Sequence, residues 1–536
     1  MSDEKKLSIL HGAALLAGAT AIVKIIGAFY KIPLSAIIGA QGFSYFYTAY
    51  EIYSVLLLIS TAGLPVAVSR LISQAHSMRH YNQVRQVYRI SRNIFLVLGA
   101  VSSLLMTLVC RSLANFMEQP DAWFAIGCLG PCALLVCLLS AYRGVFQGQG
   151  NMIPTSVSEV LEAFFKLVVG VATAVVLLQV PRDVSYAAGG AILGVTSGCA
   201  VATVYLFILF RKAYKSLDAG DPDQPVLGYG ATAKQLLAIA FPISIGSAGL
   251  QGITGLEGKV YMTQLLGNGF TQDLADSMKG IYNMAQTIFN MPCAFITPIT
   301  VSAIPAIASY LTLNRHDQVR ATEESASRIT ALISMPCAFG LATLARPVMA
   351  LLGGYTGENL ELAVQLMRVL GMCSIFNSTV MLTNAIMQAH GRVTLPVVNM
   401  FVGGFLKLAV IYILTGNPDI NILGVPVGTV CCYICITTLN LFAMNRCIQD
   451  PPKMVRNMLR PLVAALLMSA VVILVYTLLG KVLSLDSGMG KLLLTGVPIC
   501  AGAVVYIVRA IKLKAITRDD CLLQPKGEKI ANLLHL

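Results

Sequence analysis

Charge is what this chain has least of: 12% of its 536 residues are Asp, Glu, Lys or Arg, against about 25% in an ordinary soluble domain. With 56% hydrophobic residues and a mean hydropathy of +0.74, a water-soluble globule is excluded. No Walker sequence is present. Gly252-Ile-Thr-Gly-Leu-Glu-Gly-Lys259 has the wrong glycine spacing and ends in Val260 where Ser or Thr is required, so ATP is not the direct energy source. No His/Asp/Ser set of catalytic spacing stands out, which argues against an enzyme. The 14 cysteines fall mostly in apolar runs, and Cys431-Cys432-x-x-Cys435 lacks a second pair. His76 and His80 have no acidic or cysteine neighbour. No metal and no cofactor are expected.

Long apolar runs are what is present. About fourteen segments of roughly 18 or more residues run from 8–29 to 491–511, each long enough for a membrane helix. Their pattern is continuous, unlike the weak alternation of a barrel strand. The expected class is all-α, a polytopic membrane protein of about 14 transmembrane helices. The net charge of +13 raises nucleic acid as a partner, but its distribution decides otherwise. Of the 38 Lys and Arg, 26 fall on one set of loops and span ends and 6 on the opposite set. That asymmetry places both termini in the cytoplasm. The cluster Arg79, Arg85, Arg89 and Arg92 reads as topogenic by the same rule, and no nucleic-acid partner is expected.

The chain is duplicated. Phe164-Phe165-Lys166-Leu167-Val168-Val169 recurs as Phe405-Leu406-Lys407-Leu408-Ala409-Val410, 241 residues on. Gln147-x-x-Gly150 with Pro154 recurs as Gln388-x-x-Gly391 with Pro396, and the segment around Pro65 recurs around Pro305. Lys31 before Ile37-Ile38-Gly39 matches Lys259 before Leu265-Leu266-Gly267. The spans divide into an N-lobe (1–213, helices 1–6), a cytoplasmic linker (214–234), a C-lobe (235–447, helices 7–12) and a final segment (448–536) with two extra helices and a basic tail. Six helices per repeat is even, so the repeats are parallel in the membrane.

The charges inside these runs carry the functional reading, because an intramembrane lysine costs about 2.5–3.5 kcal/mol on insertion scales and normally faces a cavity or a partner. Ala13, Ala17, Thr20, Lys24, Gly27 and Lys31 form one stripe on helix 1, with Lys24 deepest. Lys31 also stands near enough to the outer headgroups to snorkel. Helix 5 carries Glu159, Glu162 and Lys166, and Glu162 and Lys166 are spaced to neutralise each other locally. Helix 11 carries Asn399, Gly403 and Lys407 with no acid nearby. Gln251, Glu257 and Lys259 lie on or just past helix 7, Asn283, Gln286 and Asn290 on helix 8, Arg70 at the inner end of helix 2, and Arg368 in helix 10. Glu51 is the one acid of helix 2, among Tyr45, Tyr47, Tyr50 and Tyr53. Bases outnumber acids in and beside the spans, so the pathway is expected to suit an anionic cargo such as a diphosphate.

Four blocks, Lys24-Ile-Ile-Gly-x-x-Tyr-Lys31-Ile-Pro33, Ser60 to Arg70, Arg143 to Pro154 and Gln388 to Gly391, resemble the stage V sporulation protein B-like and lipid II flippase branch of the multidrug/oligosaccharidyl-lipid/polysaccharide exporter superfamily. The resemblance covers nearly the whole chain. It implies two MATE-like six-helix lobes rocking around a central cationic cavity, with the last two helices forming a groove for a polyprenyl tail. It implies a flippase in the bacterial cell membrane, carrying a polyprenyl-diphosphate saccharide, lipid II foremost, among membrane lipids and beside the cell-wall synthesis machinery. Coupling would be to an ion or to the membrane potential. Lys24 and Lys31 then map onto diphosphate-binding positions and Arg70 onto the basic position closing helix 2; lipid II flippases often carry arginine at such sites. The alternative in the same superfamily is a cation-coupled multidrug exporter using Glu51 or Glu257. A membrane enzyme would need an outer pair such as Glu358 and Glu361, which read better as solvated helix-end residues.

Overall fold

The computed structural model describes residues 3–61, 63–78, 80–179, 184–216, 226–448, 450–485 and 487–515. Residues 217–225 of the expected linker, Arg79 and the basic tail beyond residue 515 lie outside them. Among the described residues there is helix and no strand, as backbone groups in hydrocarbon require. Among the described residues ten helices are long and apolar enough to cross a bilayer, or eleven if α11 and α12, bent by 82°, form one span. The expected fourteen is therefore not reached on length and composition alone.

The chain divides into two compact units, Met1–Gly280 and Ile281–Leu536. The first holds α1 (Asp3–Thr61), α2 (Leu64–Ser77), α3 (Tyr81–Phe116), α4 (Trp123–Gly127), α5 (Gly130–Gly148), α6 (Ile153–Gln179), α7 (Val184–Ser216), α8 (Tyr229–Gly267) and the first part of α9 (Gln272–Phe289). Two expected spans lie within α1, separated at Gly39, whose φ of 70° and ψ of −179° break the helix. A β-carbon disfavours that backbone, so glycine is the residue that fits. α8 packs against α1, α2 and α3. α6 and α7 approach closely through small residues: a β-carbon on Gly194 would stand 2.3 Å from the Gly170 Cα, and one on Gly198 would stand 2.4 Å from the Glu162 carbonyl. Such contacts substitute for hydrophobic driving force between helices in lipid.

The second unit continues through α9 to α10 (Met291–Thr312), α11 (His316–Thr343), α12 (Ala345–Leu352), α13 (Gly357–Ala389), α14 (Thr394–Thr415), α15 (Gly424–Cys447), α16 (Met454–Leu479) and α17 (Gly488–Lys512). α11 packs on α10, α13 and α16, and α16 packs on α17. Asn399 donates to Asn440 (2.8 Å), which donates in turn to Thr383 (2.9 Å) and Asn384 (2.8 Å), tying α13, α14 and α15 with side-chain amides.

The duplicated motifs fold alike. Gly150 and Gly391 both take left-handed backbone, with φ of 79° and 76°. The Gly150 amide donates to the Gln147 carbonyl and the Asn151 amide to Phe146; Gly391 donates to Gln388 and Arg392 to Met387 in the same way. Each is a helix-ending turn that leaves glycine in the left-handed region. Each following helix bears the repeated lysine. A β-carbon on Gly194 of α7 would stand 2.7 Å from the Lys166 carbonyl, and one on Gly428 of α15 would stand 3.2 Å from the Lys407 carbonyl.

Candidate functional site

In the first unit, Lys31 and Lys166 meet around one tyrosine. The Lys31 ammonium lies 4.6 Å from the ring centres of both Tyr47 and Tyr50. The Lys166 ammonium lies 5.5 Å from Tyr50 and 5.8 Å from Tyr30. Both lysines are half-buried. The Tyr30 hydroxyl donates to the Ala191 carbonyl at 2.7 Å, which fixes α1 against α7 beside the pair. Aromatic faces attract cations by their quadrupole, about 0.5–1 kcal/mol at exposed sites and about 2 when desolvated. Lys166 also hydrogen-bonds the Tyr50 side chain, and an ammonium has three donors, so this bond does not use them all. Glu162 forms no direct ion pair with Lys166, although its charge reaches it. It pairs instead with Arg143 at 2.9 Å, and Arg143 also donates to Ser158 at 3.0 Å.

A second cluster lies on the half of α1 after Gly39, the half that carries Tyr47 and Tyr50, and contains residues the sequence reading missed. The side chain of Lys279 is wholly buried and donates to the Thr48 hydroxyl at 2.7 Å; its ammonium stands 3.9 Å from Glu51. The Thr48 hydroxyl donates to Gln119, and the Gln119 amide donates to Ser44 and, at 2.7 Å, to Asp276. Gln272 donates to Asp276 at 3.0 Å and to the Glu118 carbonyl at 2.9 Å. Glu257 is 3% exposed and adds its charge near Lys279. Gly258 completes the wall, since a β-carbon there would stand 3.1 Å from Glu51 and 3.2 Å from Lys279. Three acids thus surround one lysine. Asp276 lies outside the spans identified by length and composition, and burial pushes its carboxyl up to about 6, against the opposing hydrogen bonds from Gln119 and Gln272 and the charge of Lys279.

Lys279 and Asp276 fall just before the expected span at 280–303, which is why they read as outer-loop charges. Asp276, Lys279, Asn283 and Gln286 recur at three- and four-residue steps, and extending the helix by two turns would have exposed that stripe. Arg143 stood in a quoted motif but outside a predicted span.

The other expected residues are dispersed. Lys24 and Arg70 are exposed, and Gln251 is half-buried. Lys259 is half-buried, its ammonium 3.5 Å from the Phe116 ring centre. In the second unit, Asn283 is fully buried, Lys407 half-buried, and Asn290 and Arg368 exposed. That unit also holds a pair not foreseen: His390 of the repeated Gln388-Ala-His-Gly391 motif lies 2.7 Å from buried Glu323. Arg346 pairs with Glu361 at an exposed position, as expected for solvated helix-end residues. No group of three or more His, Cys, Asp or Glu suited to a metal ion occurs among the described residues.

Multiple apolar helices, with charges held away from water among them, define a multi-pass membrane protein. A family model described as "Polysaccharide biosynthesis protein" matches residues 9–311, and a second with the same description matches 271–356. The chain belongs to this polysaccharide biosynthesis protein family. Three relatives from Bacillus subtilis (strain 168) are similar to it. They are an uncharacterized membrane protein, YabM, 24% identical over 99% of this chain and 97% of its own; stage V sporulation protein B, 22% identical over 82% and 84%; and the lipid II flippase MurJ, 24% identical over 75% and 76%. A solved lipid II flippase MurJ in an inward closed conformation shares the fold, with a TM-score of 0.68 at 14% identity over 93% of this chain and 99% of that one. An inward-facing multidrug resistance MATE family transporter of the MOP superfamily gives 0.65 at 15% identity over 80% and 98%. The expected branch and MATE-like fold are thereby found; among the relatives MurJ is named as a flippase, in keeping with a protein that is not an enzyme.

Proposed function

We propose that this chain is a flippase for a polyprenyl-diphosphate-linked saccharide of the lipid II kind, working by alternating access in the bacterial cell membrane with both termini cytoplasmic. The observation that carries this reading is the Lys31–Tyr50–Lys166 cluster. Two ammonium groups lie near one tyrosine ring, while the acids whose charges reach them are engaged elsewhere, Glu162 with Arg143 and Glu51 with Lys279. A diphosphate offers acceptors to both ammoniums at once, and charge-assisted bonds of that kind are about twice as strong as neutral ones. Lys24, Arg70 and Lys259 are proposed as further contacts along the path. Lys407 and Arg368 enter on sequence grounds, Lys407 as the repeat counterpart of Lys166. The division into a 1–213 lobe, a 235–447 lobe and a 448–536 tail segment is proposed on the sequence repeat, with coupling to an ion or the membrane potential and a place beside the cell-wall synthesis machinery. The multidrug-exporter alternative would use Glu51 or Glu257 as its ion site. A buried lysine beside Glu51 already supplies the positive charge a coupling cation would bring, which weighs against it.

Native mass spectrometry of the purified protein tests the proposal, with undecaprenyl-diphosphate lipid, undecaprenyl monophosphate and phosphatidylcholine in competition. The diphosphate should be retained selectively, and Lys31→Gln with Lys166→Gln should lower that retention at least tenfold. Equal retention of all three lipids, or undiminished retention in the double variant, would remove the reading.

A further inference from the structure

In the second unit, far along the sequence from the repeated lysine, lies a basic cavity of about 370 Å³, within the range of about 300–1,000 Å³ that small ligands occupy. It is lined by Arg320 and Arg328 of α11, by Lys453, Arg456 and Arg460 at the start of α16, and by Lys514 just past α17. Glu324 is the one acid in the lining. It is shared between Arg320 at 3.3 Å and Arg328 at 3.9 Å, while Asp450 reaches Arg320 at 4.0 Å from an exposed position. Among the described residues no ion pair engages Lys453, Arg456, Arg460 or Lys514. Six cations against one lining acid is an arrangement that mutual repulsion opposes unless an anion completes it.

The backbone adds to the field. Lys453 stands at the start of α16, which has no side-chain cap, so the positive end of the helix dipole lies beside the lining cations. Arg460 is held in place by donating to the Lys514 carbonyl at 2.9 Å, and Asn457 leans on the Glu324 carbonyl at 3.5 Å. α16 is one of the helices long and apolar enough to cross a bilayer, Met454 being its first residue. The cavity therefore sits at the level where a bilayer presents its headgroups.

We propose that this cavity is a binding site for the phosphate group of an anionic phospholipid, which fastens the ends of α16 and α17 to α11. Basic pockets between membrane helices are suited to such headgroups, and several guanidiniums around one phosphate give it bidentate partners. The proposal is independent of the cargo carried at Lys31 and Lys166.

The test uses the full chain purified in a neutral detergent, with native mass spectrometry reading retention of phosphatidylglycerol against phosphatidylcholine. Wild-type protein should hold phosphatidylglycerol in excess. Lys453→Gln, Arg456→Gln and Arg460→Gln together should cut that excess at least fivefold. Arg85→Gln with Arg89→Gln, in the separate basic cleft at the start of α3, should leave most of it. An Arg456→Lys, Arg460→Lys variant keeps the charge and controls for misfolding; it should bind better than the glutamine variant. Undiminished excess in the triple variant, or no excess in wild type, overturns the proposal. If inorganic diphosphate raises the melting temperature of wild type but not of the triple variant, and phosphatidylglycerol is not retained, the site serves a soluble phosphate and the lipid assignment is overturned. Undecaprenyl-diphosphate retention should be unchanged in the triple variant, so failure here and failure of the transport reading are told apart.

Discussion

Replacing Lys279 by methionine keeps most of the side chain's volume and removes its charge. The structure gives the expected size of the effect. The ammonium is fully buried, 3.9 Å from the Glu51 carboxylate and 2.7 Å from the Thr48 hydroxyl. At such a separation two unit charges interact by about 4 kcal/mol at an effective dielectric constant of 20, and a hydrogen bond from a charged donor contributes about 1.5–3 kcal/mol. Burying the lysine costs several kcal/mol in the other direction, so the pair as a whole contributes little net stability. Removing only the cation is different, because Glu51, Glu257 and Asp276 stay buried or nearly so without it. The expected loss is about 3–5 kcal/mol. Equilibrium unfolding in mixed micelles of mild detergent and dodecyl sulfate reads it, on wild type, Lys279→Met, Glu51→Gln and the double variant. Glu51→Gln should cost less than Lys279→Met, since Lys279 keeps Thr48 and the fields of two other acids. The double variant should fall short of the summed losses by at least about 1 kcal/mol, within the usual coupling range for contacting groups. The reasoning is refuted if Lys279→Met unfolds like wild type, or if the two losses add to within about 0.5 kcal/mol.

Two further outcomes follow from the same region. Gly280→Ala places a β-carbon 1.7 Å from the Ala40 carbonyl, so α9 must move off α1 beside the Gly39 break; a loss of about 1–3 kcal/mol is expected, read by the same unfolding assay, whereas an unchanged midpoint would mean the two backbones are not held together. Burial pushes the Asp276 carboxyl up from an ordinary 3.8 to about 6, so between those values the folded state is expected to keep a proton that the unfolded chain has released. Stability attributable to this group therefore falls as pH rises from about 4 to 6, and Asp276→Asn should flatten that slope relative to wild type.

Helical class, membrane setting and internal duplication were legible in the chain because each rests on composition or on local pattern. Apolar runs have one solution in lipid, the helix. A glycine at Gly150 or Gly391 writes its turn into the sequence, because few other residues adopt positive φ, and the two turns fold alike. Lys31 and Lys166 also stood out as candidates, since a charge in an apolar run demands an explanation, and both ammoniums lie near the Tyr50 ring.

The partners of those charges were not readable. Glu162 stands one helical turn from Lys166 in sequence, yet it pairs with Arg143 on α5, because the contact depends on how α5 meets α6. Lys279 looked like a loop charge until α9 brought it under Thr48 and Glu51, 231 residues away for the hydrogen bond. The basic cavity draws on α11, α16 and the end of α17, which nothing local connects. Sequence alone determined the solvent of this protein, its helices, its repeat and which residues bear charge where charge is costly, all properties of neighbouring residues. Tertiary structure decided which charge answers which, because charge compensation depends on distance in space, and that distance is set by helix packing over hundreds of residues.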